Sequence, residues 1–204
     1  MTTRTVARHQ RPEEASGPEG NEHLTAMTGT VLLIGFAVEG FTLLQLHRLL
    51  WLHFALGFAL CVPVAVKLCS VLYRFGRYYT GSEPYLRKGP PAPLLRVLGP
   101  LVVLTSLTVL GTGIILGIGG PGQGNWLFLH KVSFILWFAV MFVHVVAYAP
   151  KLPRLLAARW HGKPGPAAAP RAGTRYLALA AAVGGAILVG AVTMHLSGQW
   201  AGGG

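Results

Sequence analysis

Charge is scarce in this chain. Of its 204 residues 11% are charged, against about 25% in a soluble domain. Aspartate is absent, and the six acids are all glutamate. With 52% hydrophobic residues and a mean hydropathy of +0.53, this excludes a soluble globular domain and indicates a membrane protein. Cysteine is almost as rare. Cys61 and Cys69 lie in one apolar run and read as core thiols. No C-x-x-C-H occurs, which excludes covalent c-type haem attachment, and no zinc-type cluster is present. No NAD- or flavin-binding domain is read in the chain, so a soluble electron donor has to come from elsewhere.

What is present is a series of apolar runs. Residues 1–22 are polar, broken by Pro, Gly and Ser, and read as a disordered cytoplasmic tail. They are not a signal peptide, because the apolar segment that follows is too long for an h-region. Helices are expected at about 23–46, 49–73, 94–118, 125–149 and 176–196. Twenty-odd apolar residues at about 1.5 Å each cross a hydrocarbon core about 30 Å thick. The expected fold is an all-α integral membrane bundle. It has a four-helix domain at 23–156, a cytoplasmic linker at 157–175, and a fifth transmembrane helix with a short outer tail at 176–204.

The formal net charge of +11 is a matter of topology rather than of nucleic-acid binding. Three basic residues precede residue 24. Five (Arg74, Arg77, Arg87, Lys88, Arg96) lie around the loop between the second and third helices. Six (Lys151, Arg154, Arg159, Lys163, Arg171, Arg175) lie between the fourth and fifth. Arg48 and Lys131 fall on the other side, and Lys67 lies within the second helix. The excess of Lys and Arg puts the N-terminus and both long loops in the cytoplasm and the C-terminus outside. The expected location is the cell membrane, with membrane lipid as the surrounding partner.

The fourth segment, WLFLHKVSFILWFAVMFVHVVAY, carries His130 and His144, fourteen positions apart. Fourteen steps return a helix to within about 40° of its starting face, about 21 Å along its axis. Polar groups at such depth are costly and commonly functional. His53 lies a few residues inside the outer end of the second helix, at the level of His130, and a haem b held by both imidazoles follows from facing positions in a bundle. Gly57, one turn below His53, and Gly99 and Gly113 on the third helix offer room for a flat porphyrin, or simply for helix packing. Glu39 shares the outer level with His53; it is read as a partner for a ligand's second ring nitrogen, as part of a quinone proton path, or as a neutral hydrogen-bonded group. At the inner level His144 has as candidate partners His23, Lys67 and Met27. Lys67 has the alternatives of reaching the headgroups, binding a haem propionate or ligating iron. Pro63 is expected to kink the second helix. His195 lies on a packing helix, and His47 in an outer turn.

The His-x13-His helix, the outer His on a second helix and the basic cytoplasmic loops resemble the four-helix membrane cytochrome b superfamily. That group includes the b-type subunits of formate dehydrogenases and nickel–iron hydrogenases and the bacterial cytochrome b561 proteins. The segments LHFALGFALCVPVAVKL, YRFGRYYTG, KGPPAP and LHKVSFILWFAVMFVH are similar to those of small actinobacterial cytochrome b-like membrane proteins, some encoded near or fused to molybdopterin oxidoreductases. The likeness covers about residues 23–156. It implies an outer haem on His53 and His130, and an inner haem on His144 with a His of the first helix, where this chain has only His23 at the edge. It further implies electron transfer with quinone and with a soluble molybdopterin or other oxidoreductase subunit. The contrasting expectation is a haem-free membrane protein whose histidines bind a substrate or metal, or only pack.

Overall fold

The computed structural model describes residues 18–83, 86, 93–149 and 172–200, with the side chains of 18–26, 172 and 175 excepted. These residues are helical throughout their main elements, with no strand among them. The helices are α1 (Pro18–Thr42), α2 (Leu46–Tyr79), α3 (Pro93–Gly119), α4 (Trp126–Tyr148) and α5 (Ala172–Thr193), with short 3-10 segments at Leu43–Gln45 and Met194–Trp200. α1 starts five residues before the expected boundary, at Pro18; proline is pre-organised for a first helical turn. α2 runs on to Tyr79, so Tyr73, Phe75, Tyr78 and Tyr79 are helical. Residues 1–17, the loop around 87–92 and the linker at 150–171 lie outside the described residues.

Four stretches are long and apolar enough to cross a membrane: Met27–Tyr79, Pro93–Gly119, Trp126–Tyr148 and Tyr176–Trp200. The first is folded back on itself. Gly35 faces Leu60 and Gly29 faces Lys67, while Glu39 and Thr42 face His53. The paired numbers sum nearly to a constant, as they do in an antiparallel hairpin. The reversal uses the 3-10 turn and the non-helical backbone of Leu49 (φ −106°, ψ 15°). Pro63 does not make the break: its backbone stays helical and the one irregularity inside α2 is at Leu49.

α3 and α4 form a second antiparallel hairpin, joined through Gly120 (φ 75°) and Gly124 (φ 56°), a conformation that glycine adopts without a Cβ penalty. The sequence Gly117–Gly122 spells G-x-G-x-x-G, but it closes a membrane helix. A dinucleotide fingerprint opens a helix after a strand.

α5 lies along α2 at very close range. A Cβ on Gly190 would sit 2.8 Å from the Ala55 carbonyl oxygen and 3.3 Å from the Ala59 Cβ. Small residues let membrane helices approach this closely. Gly190→Leu is therefore expected to destabilise the fold by about 1–3 kcal/mol, the usual cost of overpacking, because the obstructing atom is backbone and cannot rotate away. Gly184→Leu, at a position with nothing within 4 Å, is the control. Thermal unfolding in detergent should separate the two, and equal midpoints would refute the packing argument.

The interior is the inverse of a soluble core. Thr28 and Thr42 are fully buried, and Ser70, Thr105, Ser106, Thr112 and Ser133 nearly so. Large apolar side chains such as Ile34, Phe41, Leu104, Phe128 and Ile135 face outward. In lipid this arrangement costs little, because the tails are as apolar as the side chains. The buried hydroxyls are satisfied locally: Thr105 donates to the Leu101 carbonyl at 2.7 Å and Thr112 to the Thr108 carbonyl at 2.8 Å. Cys69 is exposed rather than in the core. Half-buried Cys61 donates its thiol to the Gly57 carbonyl at 3.5 Å.

Candidate functional site

α2 and α4 run in the same direction, and their residues face one another in tiers seven positions apart. His53 and His130 form the outer tier. Leu60 and Trp137 stand at the middle level by the same spacing, and Trp137 meets Phe36 of α1 in a tilted contact, with ring centroids 4.7 Å apart. Lys67 and His144 form the inner tier, close enough to interact electrostatically. Seven residues are nearly two helical turns, which is why the three tiers repeat on one face.

At the outer tier the rings of His53 and His130 are 6.5 Å apart, centroid to centroid, with planes at 76°. Each imidazole is anchored through Nδ1. The His53 Nδ1 lies 2.9 Å from a Glu39 carboxyl oxygen and 2.9 Å from the Thr42 hydroxyl. Thr42 gives its own proton to the Glu39 backbone carbonyl at 2.5 Å, so its oxygen accepts, and the proton between them belongs to His53 Nδ1. His130 repeats the device. Its Nδ1 lies 3.0 Å from the Thr112 hydroxyl, which donates to the Thr108 and Val109 carbonyls at 2.8 and 3.0 Å. Ser133 sits 3.3 Å from the same hydroxyl and donates to the His130 carbonyl. With Nδ1 protonated, the lone pair of a neutral imidazole is on Nε2. Both histidines are thus held in the tautomer that ligates a metal through Nε2, with the opposite nitrogen bonded to oxygen as metal-binding histidines usually are.

The separation suits a metal between them. Two metal–imidazole bonds of about 2.0–2.1 Å, plus roughly 1.2 Å from each nitrogen to its ring centre, give about 6.5 Å. An iron held by His53 and His130 as its two imidazole ligands would fit that span. Among the described residues no cluster of three or more His, Cys, Asp or Glu gathers. A two-imidazole site, with the remaining ligands supplied by a macrocycle, fits this donor set better than a protein-only metal site.

The glycines expected to give room for a porphyrin or for helix packing meet different surroundings. A Cβ on Gly113 would lie 3.1 Å from His130 Cε1, so Gly113 seats the imidazole itself. A Cβ on Gly57 would lie 3.4 Å from the Glu39 carboxyl oxygen, so Gly57 makes room for Glu39. Gly99 faces open space. The second oxygen of Glu39 is buried without a partner.

The inner tier is less complete. The His144 ring meets Tyr148 in a tilted contact at 4.8 Å, and its buried Nδ1 has no hydrogen-bond partner among the described residues. Lys67 lies against α1, near the start of the first membrane-length stretch. Its ammonium lies 2.9 Å from where a Gly29 Cβ would be. The side chain of His23 lies outside the described residues. His195 binds its own helix, with Nδ1 2.6 Å from the Val192 carbonyl, and His47 is exposed.

Sequence reasoning missed Thr42 and Thr112. Threonine in a membrane helix bonds to its own backbone so often that neither stood out; only contact with an imidazole distinguishes them. No family model, curated protein or solved structure matches this chain.

Proposed function

We propose that this protein is a b-type haem membrane cytochrome, an electron-transfer subunit that passes electrons between the quinone pool and a partner oxidoreductase. The observation that carries the reading is the outer tier: two imidazoles 6.5 Å apart, each with its Nδ1 proton fixed by a threonine. Haem b bound there supplies a one-electron ferric/ferrous couple. The chain's own part is to hold His53 and His130 in one tautomer, to fix their planes nearly perpendicular, and to surround them with apolar helices that exclude water. Histidines that only pack would account for the Nδ1 bonds; the 6.5 Å between the two ring centres, the span of an imidazole–metal–imidazole unit, favours the haem reading.

The purified protein is expected to show a low-spin b-type optical spectrum. Ring planes at 76° should give the strongly anisotropic type of low-spin electron paramagnetic resonance signal that near-perpendicular axial imidazoles produce. Protein prepared with ample haem that shows no such spectrum would refute the reading. His144 extends the proposal to a second haem, with Lys67, Met27 or His23 opposite. Two haems per chain, falling to one in His144→Ala, support it; one haem, unchanged by that substitution, leaves His144 structural.

For function across a membrane we assign five crossings, counting α1 and α2 separately, with the N-terminus in the cytoplasm. Fourteen of the 17 basic residues fall on that side. Reporter fusions at Pro166 and Gly204 are expected to report cytoplasm and exterior; the same compartment for both would exclude this topology.

A further inference from the structure

The last described stretch, Met194–Trp200, leaves α5 as a 3-10 helix and turns onto the outer end of the bundle. Trp200 stacks near Phe54, with ring centroids 6.2 Å apart. Phe54 is the chain neighbour of His53. Gln199 presses its side-chain oxygen against Gly120, 2.8 Å from where a Cβ would be. Gly120 combines that contact with φ 75°, so only glycine suits the position.

The contacts connect downward along α3. Gly117 carries Phe54 and Phe58, whose ring atoms lie 3.5 and 2.6 Å from its Cβ position, and Gly113 carries His130 at 3.1 Å. One side of α3 therefore leads from the His130 imidazole, through Phe54, to the segment that ends in Trp200. The segment covers the outer ends of α2 and α3, the helices that carry His53 and seat His130.

Trp200 Nε1 is buried and has no hydrogen-bond partner among the described residues. An indole N–H can only donate, and a buried one ordinarily finds an acceptor. Within the four membrane-length stretches the acid is Glu39, and it is engaged with His53. The same end of the bundle carries Arg48 and Lys131, so its charge favours an anion. We infer that Trp200 Nε1–H donates a hydrogen bond to an anionic carboxylate at the outer edge of the His53–His130 site, namely a propionate of the haem held there, and that Gln199 on Gly120 anchors the segment that positions it. The inference rests on the haem reading. Trp200 is a positioning residue: it touches neither the iron nor an electron donor.

A donor to the propionate disperses its negative charge and favours ferrous iron. Trp200→Phe keeps the ring against Phe54 and removes only the N–H. Expected results are a retained low-spin spectrum, a shifted propionate bending band in resonance Raman spectra, and a ferric/ferrous equilibrium moved toward ferric by about three- to tenfold, tenfold being 59 mV for one electron. In protein reconstituted with haem dimethyl ester, which lacks the anionic carboxylates, wild type and Trp200→Phe should have equal potentials. A second measurement needs no variant: the tryptophan N–H marker in ultraviolet Raman spectra should change when the diester replaces haem in the wild type. Unchanged potential and bands in a haem-loaded variant overturn the inference and leave the haem reading intact. A potential shift that persists with the diester also overturns it. Wild type that binds no haem overturns the reading and the inference together.

Discussion

His53→Ala and His130→Ala should each abolish the low-spin haem spectrum, with haem retention falling at least tenfold while the chain still inserts. Removing a hydrogen-bond partner of a metal-bound histidine already costs about 10–100-fold in metal affinity, and removing the ligand itself should cost no less. The two substitutions should behave alike. The rings face one another at 6.5 Å, so each variant loses one of the two bonds on a shared axis and leaves five-coordinate, high-spin haem where any remains. Neither change should unfold the bundle. The α1–α2 and α3–α4 hairpins pack along much of their length, and the Thr42 and Thr112 hydroxyls keep their backbone carbonyl partners. Imidazole added to His130→Gly should restore the low-spin bands, because Gly113 leaves a seat shaped for that ring. His195→Ala, which alters an exposed ring bonded to its own helix, serves as control. Full haem content and an unaltered spectrum in both single variants would exclude the outer tier as the haem site.

Glu39 carries the second large effect. Its carboxyl oxygen lies 2.9 Å from His53 Nδ1, the nitrogen opposite the one that meets iron. An anionic acceptor there strengthens the imidazole as a donor to the metal and favours the ferric state. Glu39→Gln preserves shape and hydrogen bonding but removes the charge, and is expected to raise the midpoint potential by about 59 mV, one decade for a one-electron couple. Glu39→Leu also removes the acceptor. Thr42 then holds the Nδ1 proton alone, and haem affinity should fall about 10–100-fold. Redox titration of both variants with haem bound checks this. If Glu39→Gln leaves the potential unchanged, Glu39 acts as a helix-packing residue between α1 and Gly57 and does not tune the site.

Several features were legible without coordinates because they are local. Apolar runs set where the helices lie, and helix periodicity put His130 and His144 on one face. Counting residues from the outer ends brought His53 to the level of His130, since a bilayer of nearly constant thickness turns position along a helix into depth. Boundaries were less legible: α2 continues six residues beyond the expected end, through aromatic and arginine side chains that a hydropathy reading assigns to the interface.

Other features depend on which side chains meet across helices distant in sequence. Thr42 and Thr112 became tautomer-setting partners only when the two hairpins placed them against imidazoles. Gly113, read as room for a macrocycle or for helix packing, seats His130, because α3 and α4 approach each other closely at that level. Lys67 had the headgroups, a haem propionate or iron as possible partners; the antiparallel closure of α1 on α2 sets Gly29 opposite it, and the missing side chain leaves room for the ammonium. The turn of Met194–Trp200 onto Phe54 and Gly120 has no signature in its own seven residues. Hydrophobic length and helical period are properties of a segment and can be read from it. Tautomer, side-chain direction and the covering of a site are set by neighbours, and the packing of the folded chain alone determines those.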